Sequence, residues 1–507
     1  MKQFIRENLA FSIAYLVFTA AAVALMTLSR ILPFIDLPNH LAAATICRYI
    51  GEPGNLFSQY FETDLWLNSN IFHYLFLMFP LFPTVEFANH LFYAIYAVLL
   101  PLSVLLLIRR LGGNVWLTLP VFLLINNYSV MWGFSGYALA IPLLIFLFHL
   151  TIESQTNPSW LVRIGIAALL VFLFFVHAQV ALFGIALFVV CGLYHHRGRL
   201  GPLGKEFSAI VPVAILFIAW WMLREGGSDT LDYFRRYYGH AYWATLGLRW
   251  KLVVFDNIFL FRTPLAYWVA GFFTLVMFSP LLVGLVVKRV RLSELKTHRY
   301  FPLAFILPVL ALILFFALPQ AIPRQPIVYE RLSVFVMLGV IILGSLIFRR
   351  GVAAYTKVAL TLIVVVYFIL WADYYMQFNQ ENENLTEQIF PADASQNTMA
   401  GLVYDYEFRG HPICVHLPYY YTVWTRGVTP AAFVDYRFGV VSRKVDFDVL
   451  PLYLTWEWRA MRYDGRYSNM DYLLVRGKIP QHIYPRLREF KPVDTWGNWS
   501  LLENRLR

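Results

Sequence analysis

Residues 9–28 read LAFSIAYLVFTAAAVALMTL, and residues 29–40 continue SRILPFIDLPNH. The first stretch runs for twenty residues without a charge, about what an α-helix needs to cross a bilayer's hydrocarbon core. It follows Met1-Lys2-Gln3-Phe4-Ile5-Arg6-Glu7 and exceeds the roughly 7–15 residues of a signal-peptide core. It therefore reads as an uncleaved first span with its N-terminus in the cytoplasm. Its alanines and Ser29 are the features a cleavable leader would share.

Similar apolar runs recur at roughly 88–108, 114–129, 136–151, 160–177, 178–194, 207–223, 264–287, 300–318, 332–348 and 356–373, which makes eleven. Each is bounded by polar, Pro or Gly residues. The third and fourth are short, at roughly 16 residues, and could form one broken hairpin. Composition agrees with a membrane chain: 507 residues, 59% apolar, 18% aromatic and only 14% charged, with mean hydropathy +0.58. A soluble domain carries about 25% charged residues. A cytosolic enzyme, a disordered chain and a collagen-like chain are excluded. Three cysteines, Cys47, Cys191 and Cys414, are too few for a disulfide framework and lack metal-ligand spacing.

The expected fold is an all-α polytopic membrane domain of about eleven transmembrane helices over residues 1–375. A small external α/β domain follows over 376–507. Basic residues give the orientation. Lys2, Arg6, Arg109, Arg110, Arg163, Arg197, Arg199, Lys205, Lys288, Arg289, Arg291, Lys296, Arg299, Arg349, Arg350 and Lys357 all fall on the cytoplasmic side of this layout, as the positive-inside rule expects. The net charge of +11 is thus mainly an orientation signal, and no nucleic-acid partner is needed to explain it. The expected location is the cell (inner) membrane.

Three larger pieces lie outside. The first loop, about 30–87, contains Leu37–Ile50 and Ile71–Pro83, read as helices lying along the membrane surface. A loop at about 224–263 is rich in Arg, Tyr and Trp. The tail carries strand-like runs at Ile413–Leu417, Phe433–Tyr436 and Tyr472–Val475. No cytoplasmic loop exceeds about 13 residues, and no phosphate-binding glycine motif appears. ATP-driven transport and cytosolic nucleotide-sugar chemistry are therefore disfavoured. The spans carry no acidic residue except Asp373, at an outer end, which disfavours an ion-coupled transporter.

Polar chemistry gathers on the external face. Asp36 and Pro38 begin a helix in Pro33-Phe34-Ile35-Asp36-Leu37-Pro38-Asn39-His40. On local residues alone, Asp36 reads most simply as a cap. It could equally serve as a general base or metal ligand, with His40 one turn along. Arg324 and Arg331, in the loop before the tenth span, and Arg249 in the third large loop are the cations suited to a phosphate. The same arginines could anchor helix ends among lipid headgroups or pair with Glu330. His177, at the tight turn between the fifth and sixth spans, either caps the hairpin or lines a cavity. In the tail, His416, Tyr420 and Trp424 suit stacking on sugar rings, and suit core packing as well. Cys47 and Cys414 are both external and could pair.

With these residues in place, the layout resembles the integral-membrane glycosyltransferases of the GT-C fold, which include aminoarabinose, mannosyl and arabinosyl transferases. The shared marks are an uncleaved first span, an acidic residue just outside it, a long first external loop, many further spans and an external C-terminal domain. The resemblance covers the whole chain in layout, and in residues it rests on Asp36 and its neighbours. It implies a sugar donor on a polyprenyl phosphate, a glycan, lipid or protein acceptor, and transfer at the extracytoplasmic face. Asp36 would act on the acceptor, as base or metal-linked organiser (Mg or Mn). Leu37 stands where several members have a second acidic residue, which puts metal dependence in question. A second carboxylate would come from elsewhere in the loop, with Asp64 favoured. A polysaccharide polymerase or ligase, and a non-enzymatic translocation or assembly component, are the rival expectations.

Overall fold

The computed structural model describes residues 8–224, 243–286, 300–322, 325–430, 439–446, 449–451 and 465–507. Arg324 and the run Phe433–Tyr436 lie outside the described residues. The helices that organise the site are α1 (Leu9–Leu28), α2 (Leu37–Tyr49), α3 (Phe72–Leu77), α4 (Val85–Leu111), α5 (Ser135–Thr156) and α6 (Trp160–Val176). They continue with α7 (Ala178–His196), α8 (Val211–Arg224), α9 (Pro264–Val286), α10 (Phe301–Ala317), α11 (Ser333–Ile347) and α12 (Ala354–Glu381). Eight helical stretches among the described residues are long and apolar enough to cross a membrane. They are α1, α4, α5, α7, Leu200–Leu223, α9, α11 with its leading turn, and α12. Val115–Met131, α6 and α10 are apolar but shorter. The chain is a membrane-embedded helical protein with a C-terminal α/β part.

Each apolar run shows which side meets lipid. On α1, Phe11, Phe18, Ala22 and Met26 are buried, a stripe spaced by seven, four and four, while Leu9, Ile13, Leu16 and Val17 are exposed. One narrow face packs on the bundle and the rest is left apolar for acyl chains. Helix α11 differs: all its residues but the last are buried, so it runs through the middle of the bundle. Its glycines let neighbours approach. A Cβ on Gly339 would stand 2.5 Å from Pro308 of α10, and one on Gly344 would stand 2.9 Å from Pro280 of α9.

The expected third span is not an α-helix. Residues Val115–Leu124 form a 3-10 helix around Pro120, and at about 2 Å per residue ten residues rise only about 20 Å. Proline removes an α-helical donor and clashes with the preceding turn. The segment is buried from Leu117 to Asn127 and ends in the short helix Tyr128–Met131, which the Asn127 side chain caps. The expected fourth span is the full-length helix α5.

The first loop also departs from expectation. Ten of the thirteen residues of α2 are buried, because the helix is wedged between α3, α4 and the tail. Ile71–Pro83 contributes only the short α3. Helix α12 runs unbroken to Glu381, past the boundary drawn at residue 375. Beyond it, β2 (Met399–Val403), β4 (Tyr472–Arg476), β5 (Phe490–Trp496) and β6 (Trp499–Asn504) form a sheet in the order β2-β4-β6-β5. The first pair is parallel (Met399 opposite Tyr472) and the others are antiparallel. Ile413–Leu417, read as a strand, is a buried turn leading into the 3-10 helix Leu417–Tyr419. Pro412 and Pro418 flank it and deny it ladder donors. A strand of the first loop, β1 (Phe61–Thr63), pairs with a strand of the tail, β3 (Val441–Arg443). Cys47 and Cys414 are buried free thiols, so the possible pairing is not made.

Candidate functional site

Asp36 is held by its backbone. Its N–H donates to the carbonyl of Trp132 at 3.0 Å, and that of Ile35 donates to Met131 at 3.1 Å. The turn that receives them passes through Gly133 at φ +86, a conformation glycine adopts freely. Asp36 occupies the N-cap position of α2, yet its backbone is helical (φ −83, ψ −5) and its side chain caps nothing. An N-cap residue usually sits in the β region, where its side chain can fold back over the first turn. The capping reading is therefore corrected. The carboxylate is only 5% exposed and has another partner.

That partner is His416 of the tail, whose Nε2 lies 3.3 Å from Asp36 Oδ1. His416 is buried, and its ring stacks on that of Tyr419 with centroids 5.5 Å apart and planes at 14°. Its Nδ1 is buried and has no hydrogen-bond partner among the described residues. Two more imidazoles crowd the pair. His40 Nδ1 is 2.6 Å from the Tyr74 hydroxyl, and His73 Nε2 is 3.3 Å from Asn89 Oδ1. Burial pushes His73 down to about 3. Burial, helped by His73 and His416, holds His40 well below the ordinary histidine value. Both are neutral at physiological pH. Burial pushes the Tyr74 hydroxyl upward, and the Asp36 charge adds to this.

Arg331 supplies the positive charge. It sits in the turn that leads α11 and is buried. Its Nη1 donates to Gln179 Oε1 at 3.1 Å and approaches His177 Nε2 at 3.5 Å. The guanidinium lies 4.5 Å from the centroid of the Phe134 ring, and the Tyr137 hydroxyl donates to the Arg331 carbonyl. His177 makes no side-chain cap at the α6–α7 turn. It is buried, with its ring edge-on to Tyr137. In place of a hairpin cap, it lies beside Arg331.

The remaining candidates are placed elsewhere. Arg249 is buried, with its guanidinium donating to the carbonyls of Ala244, Phe315 and Leu318 and lying 4.0 Å over Tyr329. It closes the C-terminal end of α10, where carbonyls lack helical donors. Asp64 is exposed, and its carboxylate accepts the N–H of Trp66 in a local turn. Tyr420 stacks on Trp424 at 4.7 Å, and the Trp424 indole donates to Glu86 at 2.6 Å. That joint fastens the tail to α4. Among the described residues no three His, Cys, Asp or Glu side chains converge as a metal ligand set.

Sequence reasoning missed Tyr74, His73, Gln179, Tyr137 and Gly133. A His-Tyr pair inside the apolar run Ile71–Pro83, and a glutamine two residues after His177 in a turn with no loop, are signals that could have found some of them. No protein-family model, curated protein or solved structure matches the chain.

Proposed function

We propose that the chain is a polytopic glycosyltransferase. It would cross the membrane eleven times and move a sugar from a polyprenyl-phosphate donor to an acceptor at the extracytoplasmic face. One observation carries the reading. Just beyond the first apolar helix stands a buried carboxylate that caps nothing and meets a buried tail histidine at 3.3 Å. A buried carboxylate of this kind is costly unless its surroundings use it.

In this reading the Asp36–His416 pair activates or positions the acceptor hydroxyl. Arg331, with Gln179 and His177 beside it, binds the phosphate and stabilises the charge that builds on the leaving oxygen. The external face suits such a donor, since nucleotide sugars are cytosolic. The donor's hydrophobic chain would lie among the later helices.

The test is sugar transfer by the purified protein in detergent, comparing wild type with Asp36→Asn against a panel of polyprenyl-phosphate sugars. Transfer should fall by about 10²-fold or more in the variant. Asparagine caps helices about as well as aspartate, so a lost cap cannot account for that fall. Equal transfer by both proteins would keep the enzyme and discard the site.

A further inference from the structure

We infer that His416, rather than Asp36, takes the proton from the acceptor hydroxyl, with Asp36 fixing the tautomer and direction of the imidazole. This rests on the proposed glycosyl transfer and assigns the roles within it.

The geometry separates the two ring nitrogens. Nε2 lies 3.3 Å from Asp36 Oδ1, and a carboxylate can only accept, so Nε2 carries the hydrogen. Nδ1 is then the nitrogen with the lone pair. That nitrogen is buried and has no hydrogen-bond partner among the described residues. An acceptor hydroxyl approaching Nδ1 would supply the partner.

The ring is also held. It stacks nearly parallel on Tyr419, and Pro418 in the following 3-10 turn limits the backbone. A carboxylate behind an imidazole orients it and stabilises the imidazolium that forms, without itself becoming protonated. His40 and His73 contribute no competing charge, since burial keeps both neutral.

The step balances as follows. The acceptor O–H proton passes to His416 Nδ1 while the acceptor oxygen bonds to the anomeric carbon. The bond from that carbon to the donor phosphate oxygen breaks, and its electron pair leaves with the polyprenyl phosphate, facing Arg331. His416 is then an imidazolium opposite the Asp36 carboxylate, and it returns its proton to water when the products leave.

Two readouts test this on the full-length protein. In the first, ¹⁵N-histidine labelling, with His416 assigned by difference from His416→Gln, reports the tautomer. The expected wild-type state is Nε2–H, lost or weakened in Asp36→Asn. An Nδ1–H tautomer in the wild type would overturn the inference. In the second, His416→Gln should lower the rate at saturating donor by about 10²-fold or more with little change in donor KM and unchanged elution in size-exclusion chromatography. Recovery of transfer in His416→Ala on adding imidazole would support a lost base. A well-folded His416→Gln that transfers at the wild-type rate would sink the inference and leave the transferase reading standing. A wild type that transfers no sugar from any donor of the panel would count against the transferase reading, and the tautomer would still decide the orientation of the pair.

Discussion

Gly133 presses its backbone against Asp36: a Cβ added at Gly133 would stand 2.8 Å from the Asp36 amide nitrogen and 2.7 Å from that of Leu37. Both contacts are to backbone, which cannot swing aside as a side chain can. Gly133→Ala should therefore push the Asp36 turn outward. The expected cost is about 2 kcal/mol or more, from strain at positive φ together with the clash. The control is Gly54→Ala, also at positive φ (+92) but with nothing within 4 Å. Thermal unfolding should show the strain in both variants, and transfer should collapse only in Gly133→Ala.

Arg331→Lys keeps the charge and removes the planar guanidinium, whose Nη1 reaches both Gln179 and His177 and which lies over Phe134. Lysine is a compact point charge and replaces neither the second donor nor the stacked plane. Donor KM should rise about tenfold, consistent with losing one charge-assisted hydrogen bond. Gln179→Ala should move KM in the same direction by less. Steady-state kinetics with varied donor at fixed acceptor measures both, and an unchanged KM in Arg331→Lys would remove Arg331 from the donor site.

The apolar runs were legible because a bilayer-spanning helix needs about twenty apolar residues. Among the described residues eight reappear as helices long enough to cross a membrane and three as shorter apolar helices. Asp36 was legible by position, as the first acidic residue after the first run. What it meets was not. His416 comes from the other end of the chain, and only the tail's folding brings it against α2. Its own segment misled: Ile413–Leu417 is apolar and β-rich, but the flanking prolines turn it into a bend. Pro120 likewise converts an apolar run into a 3-10 segment. Arg249 looked like a phosphate ligand because its type and loop fit. That its donors are taken by three carbonyls depends on where α10 ends in space.

That commitment gives Arg249 a structural signature. Arg249→Ala leaves the carbonyls of Ala244, Phe315 and Leu318 without this donor and uncovers Tyr329. Each unsatisfied buried polar group costs about 1–3 kcal/mol, so a loss of about 3 kcal/mol or more is expected. Donor KM measured below the lowered melting temperature should match wild type. A raised KM with unchanged melting temperature would instead return Arg249 to the phosphate site.

His411 adds a tail contribution to acid sensitivity, alongside His40 and His73. It is 2% exposed, with neither ring nitrogen hydrogen-bonded among the described residues, and it lies edge-on to Trp132 at 5.9 Å. Burial, helped by the positive charge of Arg262, pushes it down to about 3. The unfolded chain protonates the same ring near 6.5, so between those values the unfolded state holds the extra proton. Stability is therefore fully present above about pH 6.5 and falls as the pH drops below it. At pH 5 the loss from this residue is about 2 kcal/mol, following the pKa gap at about 1.4 kcal/mol per unit. His411→Phe keeps the ring contact with Trp132 and removes the buried unpaired nitrogens, so it should be neutral or stabilising at pH 7.5. Its melting temperature should fall less than that of wild type between pH 7.5 and 5, because one protonation that favours unfolding is gone. Parallel falls in the two proteins would mean that His411 is protonated equally in both states, and would contradict the burial that holds it neutral.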